Sequence, residues 1–309
     1  MTDRGFDAII IGGGPAGLTA GIYASRAGMR ALLIEKGLCG GQALITDLVE
    51  NFPGFPDGVS GPDLADYFLR QAKKTGLEIR EAEAKKLIVE KDVFKVIIDS
   101  QKELKTRSFI IATGASWNSL GVPGEAEFRG KGVSYCATCD GPLFKGKKVV
   151  VAGGGDTAVG EAVFLTKFAK KVTIVHRRDK LRAVKILQER ALANKKIEIA
   201  WNSVITDIRG ASKVEAVALK NTKNAKESSL ACDGVFVLVG IRPNSEIVKG
   251  IAALDEKGYI IVDDDMKASV EGIFACGDVR KKALRQIVTA CGDGATAASS
   301  AQHYLETHQ

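Results

Sequence analysis

The chain has no apolar run long enough to cross a bilayer. Its longest runs, such as Gly234–Val239, are strand-sized, far short of the ~20 residues a spanning helix needs. Proline is scarce, 7 residues against 34 glycines, which excludes a Pro-rich disordered chain and points to a turn-rich α/β protein. Six cysteines in 309 residues are too sparse for a secreted disulfide scaffold. In a reducing compartment, a close cysteine pair then points to catalysis or metal binding. The start, with Asp3 and Arg4, lacks a basic segment, a long apolar segment and a small-residue cleavage site, so it reads as mature structure and the cytoplasm is the expected location. A single basic block is also missing. The net charge is +7 and the pI near 9.0, but the lysines fall in scattered pairs such as Lys73-Lys74, Lys147-Lys148 and Lys195-Lys196. A nucleic-acid site concentrates charge on one element, so neither nucleic acid nor membrane is expected as a partner. The excess remains available to steer an acidic partner, with Arg129 and Lys131 placed just before a cysteine pair.

The length suggests two domains, and 45% apolar residues suffice for their cores. The same local pattern occurs twice. A strand-like run at residues 6–11 leads into Gly12-Gly13-Gly14-Pro15-Ala16-Gly17, then a helix-compatible stretch to about Ala27 and a second strand, Arg30–Ile34, ending at Glu35. Later, Lys148–Ala152 leads into Gly153-Gly154-Gly155-Asp156-Thr157-Ala158, a helix-compatible stretch to about Ala169, and the strand Val172–Val175. In such a turn the first glycine (Gly12, Gly153) bends the chain and the second (Gly14, Gly155) admits a pyrophosphate. The third position (Gly17, Ala158) must be small for the helix to pack on the strand. The phosphates then meet free N–H groups at the positive end of the helix. A glycine cluster alone is weak evidence; the strand before it and the helix after it supply the context.

The second strands distinguish the cofactors. Glu35 lies 23 residues beyond Gly12, and His176 the same 23 beyond Gly153. A carboxylate suits a ribose 2′-OH, whereas His176, Arg177, Arg178 and Arg182 form a cationic group suited to a 2′-phosphate. One unit is therefore expected to hold FAD or NAD and the other NADPH, a pairing that implies hydride transfer between a nicotinamide and a flavin. The segment 77–113 holds short strand-like runs with a turn at Lys91-Asp92, and Gly240–Asn244 reads as a linker. The tail from Ile287 to Leu305 is helix-compatible and completes the first domain. The expected fold is α/β: two Rossmann-like three-layer nucleotide-binding domains, with an NADPH domain (116–243) inserted into a split FAD domain (1–115 and 244–309).

Cys136-Ala137-Thr138-Cys139-Asp140 is the other strong signal. A C-x-x-C pair closes a small ring whose disulfide forms and reopens readily, with a neighbouring acid to manage the proton. The alternative is half of a zinc site, which needs two more ligands; Cys39, Cys232, Cys276 and Cys291 are single, and the three histidines lie far off in sequence. No metal is expected. The single cysteines read as small buried apolar residues, with Cys39 and Cys276 placed to lie near a cofactor.

These motifs, with Gly40-Gly41-Gln42, the run Val49–Gly54, Ala112-Thr113-Gly114 and Gly277-Asp278 followed by Arg285-Gln286, resemble the low-molecular-weight thioredoxin reductases along nearly the whole chain. The resemblance implies FAD contacts at Gly12, Gly14, Pro15, Ala16, Gly17, Glu35, Gly41, Gln42, Asn51, Thr113, Gly114, Gly277, Asp278, Arg285, Gln286 and Ile287. It implies NADPH contacts at Gly153, Gly155, Asp156, Thr157, Ala158, His176, Arg177, Arg178 and Arg182. Electrons would pass from NADPH through FAD to the Cys136–Cys139 disulfide, with Cys139 towards the flavin, Asp140 as acid/base and Cys136 attacking the disulfide of thioredoxin or a thioredoxin-like protein. A homodimer and a swinging NADPH domain are implied as well. Two positions depart from the family: Gly160 stands where many members carry a glutamate beside Glu161, and Pro142-Leu143 where some carry aromatics. The rival readings are a reductase of a glutaredoxin-like protein or of a peroxiredoxin partner, and a non-catalytic redox sensor.

Overall fold

In a computed structural model, the chain is described over residues 5–46, 48–89, 94–99 and 101–308; Asp3, Arg4 and the turn expected at Lys91-Asp92 lie outside them. The elements run β1 (Ala8–Ile11), α1 (Pro15–Arg26), β2 (Ala31–Glu35), α2 (Gly61–Lys74), β3 (Glu78–Glu81), β4 (Ala84–Val89), β5 (Phe94–Ile98), β6 (Glu103–Thr106), β7 (Phe109–Ile111) and β8 (Ala115–Trp117). They continue with β9 (Val133–Ser134), α3 (Ala137–Asp140), β10 (Lys148–Ala152), α4 (Asp156–Leu165), β11 (Lys171–Val175), α5 (Lys185–Ala193), β12 (Ile197–Ala200), β13 (Ser203–Gly210), β14 (Val214–Asn221), β15 (Glu227–Ala231) and β16 (Gly234–Val237). The chain returns through β17 (Ile241–Pro243), β18 (Ile273–Ala275) and α6 (Ile287–Thr307). Two compact units result: Met1–Ser116 with Arg242–Gln309, and Trp117–Ile241.

The first unit is built on a parallel sheet of order β18-β7-β1-β2-β3. All four residues of β1 are buried, because both faces of the sheet are covered. Ile9 and Ile11 pack with Leu87, Val96 and Leu104 of the antiparallel sheet β4-β5-β6. Ile10 faces the other way, onto Leu18 of α1 and Ala297 of α6. Each such burial contributes roughly 1.5–3 kcal/mol, so the core strands hold the layers together. Small residues let α1 and α6 approach closely: a Cβ at Gly294 would lie 2.2 Å from the Ala16 carbonyl oxygen.

The second unit repeats the plan with a parallel sheet of order β12-β11-β10-β16-β9. Val149, Val151 and Phe236 pack on Val159, Ala162 and Leu165 of α4, while Val150 and Val235 face Ile208, Val217 and Leu219 of the antiparallel sheet β13-β14-β15. α4 ends four residues before the expected Ala169. Thr166, Lys167 and Phe168 bond back only three residues, and the Thr166 hydroxyl bonds the Val163 carbonyl, tightening the last turn. Among the described residues no helix is long and apolar enough to cross a membrane.

Candidate functional site

In the first unit, the turn Gly12–Gly17 links β1 to α1. Gly12 takes φ +110°, and a Cβ on it would sit 2.3 Å from the Ala112 carbonyl oxygen; a Cβ on Gly17 would meet the Gly12 carbonyl oxygen at 1.8 Å. Only glycine lets helix and strand close to this distance. A Cβ on Gly14, by contrast, would meet nothing closer than Gly41 Cα at 3.9 Å. Gly14 caps α1 without a side-chain hydrogen bond, so the helix presents free backbone donors next to Pro15 and Ala16. Glu35 accepts from the backbone N–H of Gly13 at 2.6 Å and of Gly37 at 3.1 Å. Cys39 lies against the same turn, half-buried, its thiol pushed up by burial and by Glu35, so it is no activated thiolate.

The other residues expected here are placed by their own contacts. Gly41 and Gln42 lie in the loop whose Gly40 N–H bonds the Gly13 carbonyl, and the Gln42 amide donates to the Ala115 carbonyl. Asn51 donates to Gln286 at 2.9 Å, and Gln286 caps α6 just before Ile287. Thr113, beside Gly114, exchanges hydrogen bonds with Asn244. Gly277 is packed on Ala16, and next to it Asp278 Oδ1 is buried without a hydrogen-bond partner, as is Arg285 Nε. A buried acceptor and a buried donor left open are what a ligand carrying hydroxyl and phosphate groups would satisfy. Burial raises the Asp278 carboxyl, against the pull of Lys282 and Arg285.

In the second unit, Gly153 takes φ +148° and a Cβ on it would crowd Leu238 and Ala158. Gly155 caps α4 just before Asp156 and Thr157, and a Cβ on it would meet nothing closer than an Arg182 guanidinium nitrogen at 3.9 Å. Asp156 is tied down by the Val184 N–H at 2.7 Å. Arg177, Arg178 and Arg182 are exposed around this end of the sheet. His176 differs from them. Its ring is buried under the turn, where a Cβ on Gly154 would lie 2.2 Å from Nδ1, and Nε2 donates to the Lys180 carbonyl. Burial and the three arginines lower its pKa, which disfavours a charge on the ring, so of these four residues the exposed arginines are the ones placed to present cationic charge.

Cys136 and Cys139 form a disulfide at the start of α3, half-buried. The Cys139 N–H points at Cys136 Sγ, 3.1 Å away. Asp140 accepts from the Ser134 hydroxyl at 2.6 Å, and Ser134 also accepts from the Cys136 N–H. The N–H of Ala137, between the cysteines, donates to Glu161 of α4 at 2.9 Å. Burial raises the Glu161 carboxyl, opposed by that bond. Ser134 and Glu161 as holders of the cysteine loop were not apparent in the sequence, because nothing in their spacing marks the contact. Gly160 has room for a side chain, its nearest neighbour being Leu187 at 4.0 Å, and Leu143 is exposed beside the loop. Of the single cysteines expected to be buried, Cys232 and Cys276 are, whereas Cys291, like Cys39, is only half-buried; burial pushes the Cys232 thiol up to about 12.

A family model described as pyridine nucleotide-disulphide oxidoreductase matches residues 6–294. The chain is 51% identical over 305 residues to the thioredoxin reductase of Bacillus subtilis (strain 168), covering 98% of this chain and 96% of that one. It is 47% identical over 312 residues to that of Peptoclostridium acidaminophilum, with 98% of both covered. The crystal structure of thioredoxin reductase from Streptococcus pyogenes MGAS5005 superposes with a TM-score of 0.95 at 46% identity, over 99% of this chain and all of that one. With the disulfide, the two dinucleotide turns and these likenesses together, the chain belongs to the pyridine nucleotide-disulphide oxidoreductases, and within them to the thioredoxin reductase family.

Proposed function

We propose that the chain is an NADPH-dependent flavoprotein that reduces the disulfide of thioredoxin, with FAD in the first unit, NADPH in the second, and Cys136–Cys139 as the redox pair. The observation that carries this reading is the disulfide itself, set on a loop that α4 holds through Glu161 within a nucleotide-type unit. The bound cofactors supply the hydride and two-electron chemistry. The buried open atoms of Asp278 and Arg285 and the free N-terminus of α1 support FAD in the first unit. The uncrowded turn at Gly155 and the exposed Arg177, Arg178 and Arg182 support NADPH in the second.

The chain's own residues account for the thiol chemistry. Reduction of Cys136–Cys139 takes two electrons and breaks the S–S bond. The Cys139 N–H already aimed at Cys136 Sγ would then stabilise a thiolate there, as a charge-assisted hydrogen bond. Cys136 is therefore the nucleophile: its thiolate attacks a sulfur of the partner's disulfide, forming a mixed disulfide and releasing one partner thiolate. Cys139 then attacks Cys136 Sγ, restoring the intramolecular disulfide and releasing the second partner sulfur. Asp140, oriented by Ser134, holds the proton that Cys139 gives up and regains. The residue roles follow the family pattern, as do a homodimeric state and a cytoplasmic location.

Cys136→Ser and Cys139→Ser variants test the reading. Each should retain FAD and its bleaching by NADPH, and lose NADPH-driven reduction of thioredoxin by orders of magnitude. Near-normal turnover by either variant would contradict it.

A further inference from the structure

The first unit holds a charged cluster that the electron path leaves without a role. Asp293, on α6, is 7% exposed, yet its carboxylate is fully used. Oδ2 accepts from the Gly277 N–H at 3.1 Å, Arg280 Nε at 2.8 Å and Lys282 Nζ at 2.7 Å, and Oδ1 accepts from Arg280 Nη2 at 2.7 Å. Burial alone would raise this carboxyl, but the bonds from Arg280 and Lys282 outweigh it and hold the group below the usual carboxylate range. The Lys282 side chain is only 5% exposed, so its ammonium is a buried charge that relies on its partner.

All these donors come from one short segment, residues 277–282, which also carries Asp278 with its buried, open Oδ1. Gly277, at φ +75°, presses the segment on the first turn of α1, where a Cβ would meet Ala16 at 2.8 Å. Lys282 and Arg285 are the cations that act on Asp278. Asp293 Oδ2 takes both the Gly277 N–H and Lys282 Nζ, which gathers Lys282 beside the backbone just before Asp278 while Asp278 Oδ1 stays open.

We propose that Asp293 is a positioning residue for flavin binding: by holding Lys282 and Arg280 it keeps Asp278 Oδ1 an open acceptor for a hydroxyl group of the bound nucleotide. This rests on the reading that the first unit holds FAD. Without the Asp293 charge, the buried Lys282 ammonium turns to Asp278 and occupies the acceptor. The damage therefore comes from Lys282, and removing that charge as well undoes it.

The test is FAD affinity of the full-length holoprotein, read from the rise in flavin fluorescence on dilution. Asp293→Asn should weaken FAD by about tenfold or more, the scale of one lost hydrogen bond to a charged group. Lys282→Met alone should stay within about threefold of the parent protein, and Asp293→Asn with Lys282→Met should return to about that level. A double variant as weak as Asp293→Asn, an unchanged Asp293→Asn, or a tenfold loss in Lys282→Met would overturn the proposal. Should Asp293→Asn alone not fold, the other two carry the test, since neither contains an unpaired buried lysine: both keep FAD, and a tenfold loss in either overturns it. Asp278→Asn separates the two levels. If it binds FAD as tightly as the parent, the flavin reading of this segment fails and the proposal with it; if it binds weakly while the double variant shows no rescue, only the Asp293 role fails.

Discussion

At the scale of single residues, the cysteine loop is held by groups of opposite solvent history. Ser134 and Asp140 form a short polar pair, while Glu161 is a desolvated carboxyl whose Oε2 accepts the Ala137 N–H. Burial raises the Glu161 pKa above its ordinary 4.5, so the folded chain binds this proton more readily than the unfolded one. Its contribution to stability is then fully present below about pH 4.5 and is lost as pH rises through the raised value. Glu161→Gln keeps an acceptor for Ala137 and removes the buried charge. The variant should melt higher than the parent protein at about pH 8, and the gap should close towards about pH 4.5, as followed by thermal unfolding across that range. A gap independent of pH, or a variant less stable at the alkaline end, would contradict the assignment. His176 gives the complementary lesson. Its position at the end of β11 suggested a cation, but a side chain there meets the Gly154 backbone, and a ring fits under a turn that has no Cβ. Position along the strand does not say which way a side chain points relative to a turn more than twenty residues away.

At the scale of elements, the two strand–turn–helix–strand blocks were legible because continuous apolar runs such as Ala8–Ile11 and Val149–Ala152 mark strands buried on both faces. Less was legible where tertiary pairing overrides composition. β3, Glu-Ile-Arg-Glu, has no apolar run; it is a strand because its backbone continues the ladder of β2. β15 is largely exposed and is set by pairing with β14. The α6 tail was legible as a helix, but its buried carboxylate at Asp293, among Ala and Gly, carries no periodic signal. The coenzyme choice belongs to this scale too, because the loop after β11 is what carries the arginines. Replacing Arg177 and Arg178 with Gln should raise KM for NADPH by about ten- to a hundredfold or more, at roughly 1.5–3 kcal/mol per charge-assisted contact. KM for NADH should change little, having no 2′-phosphate to lose. Equal losses with both coenzymes in steady-state kinetics would remove the 2′-phosphate role.

At the scale of the whole molecule, a net charge of +7 spread over scattered lysines acts on encounter more than on fold. For an acidic partner, kcat/KM should fall as salt rises through about 0.1 M, where the Debye length is near 10 Å, while kcat holds steady at saturating NADPH. A small uncharged disulfide should show little of this dependence, and a flat kcat/KM for the protein partner would leave docking to apolar contacts such as exposed Leu143. The repeated α/β plan was legible as two nucleotide turns at matched spacing; of the antiparallel sheets, one covering each parallel sheet, the first was legible only as short strand-like runs within 77–113 and the second not at all, since short strands such as β4 and β13 mix exposed and buried residues without strict alternation. The central claim is that each chain carries two redox centres in series, a flavin and the Cys136–Cys139 disulfide. Anaerobic reductive titration of the holoprotein counts them. Each centre takes two electrons, so the parent protein should take up twice as many electrons per bound FAD as the Cys136→Ser variant. Equal uptake by both would contradict the account.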